Sequence, residues 1–389
     1  MNASNIDRPI LHIASWYPNP QDPRLGNFVE EHLRAIDSLI PVVVLSAFEY
    51  DRNEILVNEK PFLQVQVLYK KKWPVQSHYK ALERGYRHLQ KIGFQFKLAH
   101  LHVSWPSGIA FQGFLKQLPY VITEHYSGYQ KSRRHEWSRL AQHMARRIMN
   151  KAQVVCPVSK QLANSLQEFG VDSKLEIVGN VVNTHIFNFQ ELKASDAKFR
   201  LLHISSLQQE TKNIKGILSG FKKALEKDPE LHLSIGGDGD IIWLNKQIEA
   251  HKIPSGNIQV LSALSREEVA QQMSRTNAFL LFSFIENQPV VLLESLCLGR
   301  PVIASKVGGI PEFIGTEQGI LVESKNEEAL AEAILQLKED FRNFDLQSIS
   351  IAAQALYSYS AIAEEFRQLY LSVRPSIASG HPDPNLAPQ

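Results

Sequence analysis

Short apolar runs alternate with amphipathic stretches twice along this chain, and that rhythm leaves few folds open. Pro9–Ala14, Pro41–Ser46, Phe62–Tyr69, Leu98–Val103, Tyr120–Thr123 and Val154–Val158 read as strands. Most are continuously apolar rather than alternating, as strands buried on both faces must be. Between them run helical stretches such as Phe28–Asp37, where Val29, Leu33 and Ile36 share one face. From Arg200 the rhythm starts afresh. Leu201–Ser205, Leu231–Gly236, Ile258–Leu261, Ala278–Ser283 and Pro301–Ser305 read as strands, and Ile214–Lys227, Glu267–Ser274, Pro289–Leu298 and Glu327–Asp340 as helices. Strand–helix alternation with short connections implies parallel sheets joined by right-handed crossovers. The expectation is an α/β chain of two doubly wound domains, residues 1–185 and 186–355, with the polar segment Asn188–Lys198 as linker. No short-period repeat is visible.

Composition supports this division. The chain has 389 residues, more than one core normally holds, and 44% of them are apolar, which excludes a disordered chain. Its formal net charge of +2 hides an imbalance. Residues 1–185 carry 23 Lys+Arg against 15 Asp+Glu (+8), and the remainder 19 against 25 (−6). Two cysteines, Cys156 and Cys297, lie in apolar surroundings with neither disulfide nor zinc-ligand spacing, so buried thiols in a reducing cytoplasm are expected. The N-terminal stretch lacks a basic region followed by a long apolar one, and no apolar run reaches 18 residues. Neither a secretory leader nor a membrane span is therefore expected. The Pro- and Gly-containing tail 374–389 is expected to be disordered. Ligands of open parallel sheets bind beyond the carboxyl ends of the strands, so two such domains facing one another would enclose a cleft.

The most informative segment runs from Ser283 to Ser305. A strand ends at Ser283, a loop presents Glu286, and Pro289 stands where a helix would begin. Glu294 falls on that helix's second turn. Free N–H groups at a helix start suit phosphate, and carboxylates eight residues apart could take hydroxyls on either side of it. The pair alone would equally fit an exposed loop Glu and a helix-surface Glu. Lys212, by itself, reads as a solvated charge. Asp238-Gly239-Asp240 fits a tight turn better than a metal site, because no further ligand cluster accompanies it.

The run Ser283-x-x-Glu286…Glu294, Gly299-Arg-Pro301-Val-Ile-Ala and Gly308-Gly309-Ile310-Pro311-Glu312 resembles the E-x7-E segment of family 4 retaining glycosyltransferases of the GT-B fold. The likeness extends over nearly the whole chain. It implies two Rossmann-like domains across a cleft, with a last helix at about 356–373 crossing back to the first. It implies transfer of a sugar from a uridine or guanosine diphosphate sugar to a hydroxyl of a glycan or lipid-linked acceptor, as in cell-surface polysaccharide synthesis. Glu286, Lys212 and His125 (at the end of Tyr120–His125) are implied in catalysis. Gly26, Ser206, Lys212, Gly237, Asn287, Gln288, Pro289, Val290 and Glu294 are implied in donor binding, with Glu294 on the ribose. Asn27, His102 and Trp105 would border the acceptor. The nucleotide sugar is then a substrate, and no cofactor or metal is expected.

The chain departs from the pattern at Ser205-Ser206-Leu207, where the family usually carries an Arg, and at Val181 and Asn183, where it carries Gly and Asp. A same-fold epimerase or a non-catalytic sugar-nucleotide-binding partner is the alternative. The basic clusters Lys70-Lys71-Lys72-Trp73 to Lys97 and Lys131 to Lys151 fit either a solvated face or contact with an anionic membrane. The second use would place the enzyme at the inner face of the membrane. No nucleic-acid motif accompanies the charge.

Overall fold

The computed structural model describes residues 9–192 and 198–373. Part of the proposed linker and the whole C-terminal tail lie outside these. The chain forms two compact units. Unit 1 comprises Met1–Val181 and Tyr359–Gln389, and unit 2 comprises Val182–Ser358. The division falls four residues before the boundary drawn from sequence (185 against 181).

Unit 1 carries a seven-stranded sheet. Its strands are β1 (Ile10–Ala14), β2 (Val42–Glu49), β3 (Glu54–Asn58), β4 (Leu63–Tyr69), β5 (Ala99–His102), β6 (Tyr120–Glu124) and β7 (Val155–Pro157), in the spatial order β3-β4-β2-β1-β5-β6-β7. All pairings are parallel except β3 with β4. β3 is absent from the sequence reading. It is a partly exposed five-residue edge strand, whose pattern lacks the continuous apolar signature of the buried strands. One sheet face packs on helices Pro74–Lys91, Arg139–Met149 and Lys160–Phe169 through Leu82, Leu89, Ile148 and Leu166. The other is covered by Asn27–Asp37 and by the last helix, Tyr359–Val373, through Leu33, Ile36, Phe366 and Tyr370. The chain thus returns to unit 1 at its end, and the Tyr359 hydroxyl donates to Glu31 of the first helix.

Unit 2 holds β8 (Phe199–Ser205), β9 (Leu231–Gly237), β10 (Ile258–Leu261), β11 (Ala278–Leu281), β12 (Val302–Ser305) and β13 (Gly319–Val322). They lie in the order β10-β9-β8-β11-β12-β13, all parallel. β13, a Gly-led four-residue strand, also escaped the sequence reading. Helices Ile214–Lys227 and Glu327–Asp340 cover one face, and Arg266–Ser274, Val290–Cys297 and Leu346–Tyr357 the other. In this order the winding reverses between β8 and β11. In unit 1 it reverses between β1 and β5. Loops leaving adjacent strands at such a point diverge, one over each face, and leave a crevice where ligands bind.

Candidate functional site

In unit 2 the switch point brings together residues 74 positions apart. β8 ends at Ser205, and the chain runs through Ser206 and Leu207 into the short helix Gln209–Lys212. β11 leads to Ser283 and Glu286. The Lys212 ammonium donates to Glu286 Oε1 at 2.6 Å, and the Ser283 hydroxyl donates to the same oxygen at 2.8 Å. Phe284 N–H donates to the Thr211 carbonyl at 2.8 Å and ties the two loops together. Glu286 is 8% exposed, so its carboxylate is held in place rather than waving in solvent.

Two glycines shape this loop. Gly308 has φ +56°, and a Cβ there would lie 1.9 Å from the Glu286 carbonyl oxygen. Only a residue without a side chain lets the Gly-Gly-Ile-Pro turn pack against the Glu286 loop. Gly309 N–H then donates to the Asn287 carbonyl at 2.9 Å. Gly237, at the end of β9, has φ +142° and would place a Cβ 1.8 Å from the Ser205 carbonyl oxygen.

Asn287, Gln288 and Pro289 lead directly into the helix Val290–Cys297, with Pro289 as its N-cap and no side-chain capping bond. Glu294 sits on this helix beside Arg266, the first residue of Arg266–Ser274, at 3.5 Å. The Arg266 guanidinium in turn lies 5.6 Å from the centre of the Phe187 ring. Arg266 was not singled out from sequence, where it reads as an ordinary charge in a helix's first turn. A cavity of about 620 Å³ opens beside Ser206, Gln209, Lys215, Asp238 and Trp243. Asp240 caps Ile241–Ala250 by accepting from Trp243 N–H, which gives this aspartate a structural task within the turn. A larger cavity, about 1060 Å³ against β13 and the helix Leu346–Tyr357, contains none of the candidate residues.

Unit 1 holds the remaining candidates. Gly26, at φ +64°, precedes the helix Asn27–Asp37, and a Cβ there would meet the Trp16 carbonyl group at 2.5 Å. Asn27 is exposed. His125 follows β6, half-buried, with its ring 4.6 Å from Phe28 and 5.2 Å from His32. Burial, with the neighbouring His32, holds its pKa well below the usual histidine value, so it is a neutral hydrogen-bonding group. Glu124 is wholly buried and accepts from the backbone N–H groups of Ser104, His125 and Tyr126, which fixes the His125 loop. Trp105 is half-buried at the β5 end.

His102 is placed differently from the expectation. It was expected beside the acceptor, but its side chain points into the core and is fully buried. Its Nε2 lies 3.1 Å from His12 Nδ1. The strand residue faces the helix layer because side chains alternate across a strand. His12, His100 and His102 are, among the described residues, close enough together to raise a metal site. Their geometry speaks for hydrogen bonding. His100 bonds the Tyr370 and Thr123 hydroxyls at 2.6 and 2.7 Å. Its ring stacks on His102 at 4.1 Å and 26°, and both of its ring nitrogens are already engaged by those hydroxyls.

Two α/β sheets, parallel but for one edge strand and each with a strand-end crevice, define a doubly wound two-domain protein. Family models narrow this class. The glycosyltransferase family 4 model matches residues 25–186, and the glycosyl transferases group 1 model matches residues 185–349. The putative teichuronic acid biosynthesis glycosyltransferase TuaC of Bacillus subtilis is 26% identical over 367 residues, 85% of this chain and 89% of that protein. Among solved structures, sucrose-phosphate synthase from Thermosynechococcus elongatus superposes with a TM-score of 0.78 at 18% identity, over 95% of this chain and all (100%) of that one. Anabaena HepE, solved in complex with UDP, gives 0.73 at 16% identity, over 94% and 100%. The chain belongs to the group 1, family 4 glycosyltransferases and has the GT-B fold; it is a transferase.

Proposed function

We propose that the protein transfers a sugar from a uridine diphosphate sugar to a hydroxyl of a glycan or lipid-linked acceptor, with retention at the anomeric carbon. The observation that carries this is the Lys212–Glu286 pair at the switch point of unit 2. It sets a cation and a hydroxyl-accepting carboxylate side by side, next to a helix start at Pro289. The departing diphosphate would take its stabilisation from the Lys212 ammonium and the first N–H groups of Val290–Cys297. Glu286 would accept sugar hydroxyls, and Glu294, braced by Arg266, the ribose hydroxyls. For His125 the family resemblance supports a role at the donor sugar.

No side chain here is an evident nucleophile. The bond from the anomeric carbon to the phosphate oxygen breaks and the acceptor oxygen bonds to that carbon from the same face. The acceptor proton passes to the departing phosphate. No metal or cofactor enters this scheme. The complex of HepE with UDP supports the choice of uridine, and the likeness to TuaC supports a cell-surface polysaccharide as product. Ser206, standing where the family has Arg, favours a second reading, a sugar-nucleotide binder without turnover.

The proposal extends to peripheral attachment at the cytoplasmic membrane face. Trp73 (63% exposed) follows three lysines, and Leu140 (71% exposed) follows Arg139. No helix among the described residues is long and apolar enough to cross a membrane. The deciding experiment is incubation with radiolabelled UDP-glucose and UDP-N-acetylglucosamine in chelator, followed by anomeric analysis of the product. An axial linkage from an axial donor is expected. An inverted product would overturn retention, and UDP binding without any sugar release would overturn transfer.

A further inference from the structure

Around the switch point of unit 1, four aromatic side chains that no catalytic role claims come together from three parts of the chain. Trp16 leaves the end of β1, Phe28 belongs to the helix that follows, and Tyr126 and Trp137 come from the segment after β6. All four are half-buried, so each keeps some surface for solvent. The Trp16 ring stands nearly perpendicular to both Phe28 (6.2 Å, 87°) and Tyr126 (5.4 Å, 86°). Tyr126 is itself fixed. Trp137 stacks on it at 5.2 Å and 24°, the Arg133 guanidinium lies 5.6 Å from its ring centre, and its hydroxyl accepts from the Trp137 indole N–H at 3.2 Å.

The backbone beneath Trp16 is equally constrained. Gly26 packs against its carbonyl group, and the preceding Ser15 hydroxyl donates to the Val103 carbonyl at 2.7 Å, across the gap between the ends of β1 and β5. Edge-to-face partners hold an aromatic ring in one orientation at little entropic cost. A rigid, partly exposed indole at the crevice of an open α/β sheet is not explained by core packing, because the core of this unit closes without it. Trp16 belongs to neither apolar cluster.

We propose that Trp16, braced by Phe28 and Tyr126, is the platform on which a pyranose ring of the acceptor stacks. The weakly positive C–H face of a pyranose complements the negative face of an indole, and the hydroxyls project sideways to polar groups at the rim. Arg133, the cation that lies over the Tyr126 ring, makes a two-pronged ion pair with Glu136 (2.8 Å to each carboxylate oxygen), so its charge is already neutralised. The geometry therefore selects a neutral sugar face rather than a bare lipid phosphate. The inference rests on the transferase reading and names the acceptor class for it.

The test uses the full chain, UDP-glucose and UDP-N-acetylglucosamine as donors, and a panel of methyl pyranosides as acceptor probes. Wild-type protein should transfer to at least one pyranoside, with a saturable change in tryptophan fluorescence. Trp16→Ala should lower acceptor kcat/KM at least 10-fold through KM, while the Kd for UDP, bound in unit 2, stays within 2-fold. Trp16→Phe should restore most of the loss, which separates stacking from folding. An unchanged acceptor KM in Trp16→Ala would overturn the platform. So would a wild-type enzyme that releases sugar from its donor but uses no pyranoside. If wild-type protein neither releases nor transfers sugar from either donor, the transferase reading fails first, and the platform falls with it.

Discussion

Replacing Lys212 by methionine and Glu286 by glutamine should move nucleotide affinity in opposite directions, although both should abolish transfer. In the free protein the Lys212 ammonium is held by Glu286 at 2.6 Å. A diphosphate arriving at the switch point offers more negative charge than the single carboxylate, so the lysine shifts its allegiance and gains a charge-assisted bond. Such bonds contribute about 1.5–3 kcal/mol net. At 1.4 kcal/mol per decade, Lys212→Met should weaken UDP binding roughly 10- to 140-fold. Glu286→Gln removes a negative charge near the diphosphate and releases the lysine. Repulsion of about 1 kcal/mol disappears, and UDP should bind equally well or roughly 5-fold tighter. The carboxylate needed for the sugar is lost, so turnover still falls.

The assay is isothermal titration with UDP in chelator, at low and at moderate salt. The affinity gap between wild type and Lys212→Met should narrow as salt rises. Thermal denaturation of each variant shows that the fold has survived. A Lys212→Met protein that binds UDP within 3-fold of wild type, or a Glu286→Gln protein that loses UDP as severely, would refute this account of the pair.

Three further outcomes are expected. Gly308→Ala should cost about 2–4 kcal/mol in chemical denaturation and weaken UDP at least 10-fold, because a left-handed residue gains a side chain against the Glu286 carbonyl; wild-type values in both would contradict it. Unit 1 should lose stability as pH falls below about 6.5: burial depresses His12 to about 3 and His78 to about 4, and His100 and His102 lie well below normal. The unfolded chain then binds more protons in that window, worth up to about 1.4 kcal/mol per pH unit for each group, so urea midpoints at pH 7 and pH 5.5 should differ markedly. Arg300→Leu should destabilise unit 2 by about 3–5 kcal/mol, since this fully buried guanidinium donates to the carbonyls of Gln190, Ser274 and Leu298 and leaves all three unpaired when lost; the melting temperature is the check.

Much of the fold was legible locally. Continuous apolar runs marked the buried strands, and the helices Ile214–Lys227 and Glu327–Asp340 fall where their periodicity puts them. β3 and β13 were not. β3 is a partly exposed edge strand and β13 a Gly-led strand buried only at its ends, so neither shows the continuous apolar run that marked the others. His102 misled for a related reason. Its place near the carboxyl end of β5 suggested a role at the acceptor, while the alternation of the strand turned its ring inward to His12.

The sequence by itself determined the two-domain α/β plan and the E-x7-E spacing of Glu286 and Glu294. Both are written in the order of short local patterns along the chain. Strand order is a different kind of information, set by how crossovers wind over two sheet faces. Only that order carries Lys212, after β8, to Glu286, after β11, and places Arg266 against Glu294. It also gathers Trp16, Phe28, Tyr126 and Trp137 at one strand-end crevice. Such contacts join residues tens to more than a hundred positions apart, and no local periodicity records them.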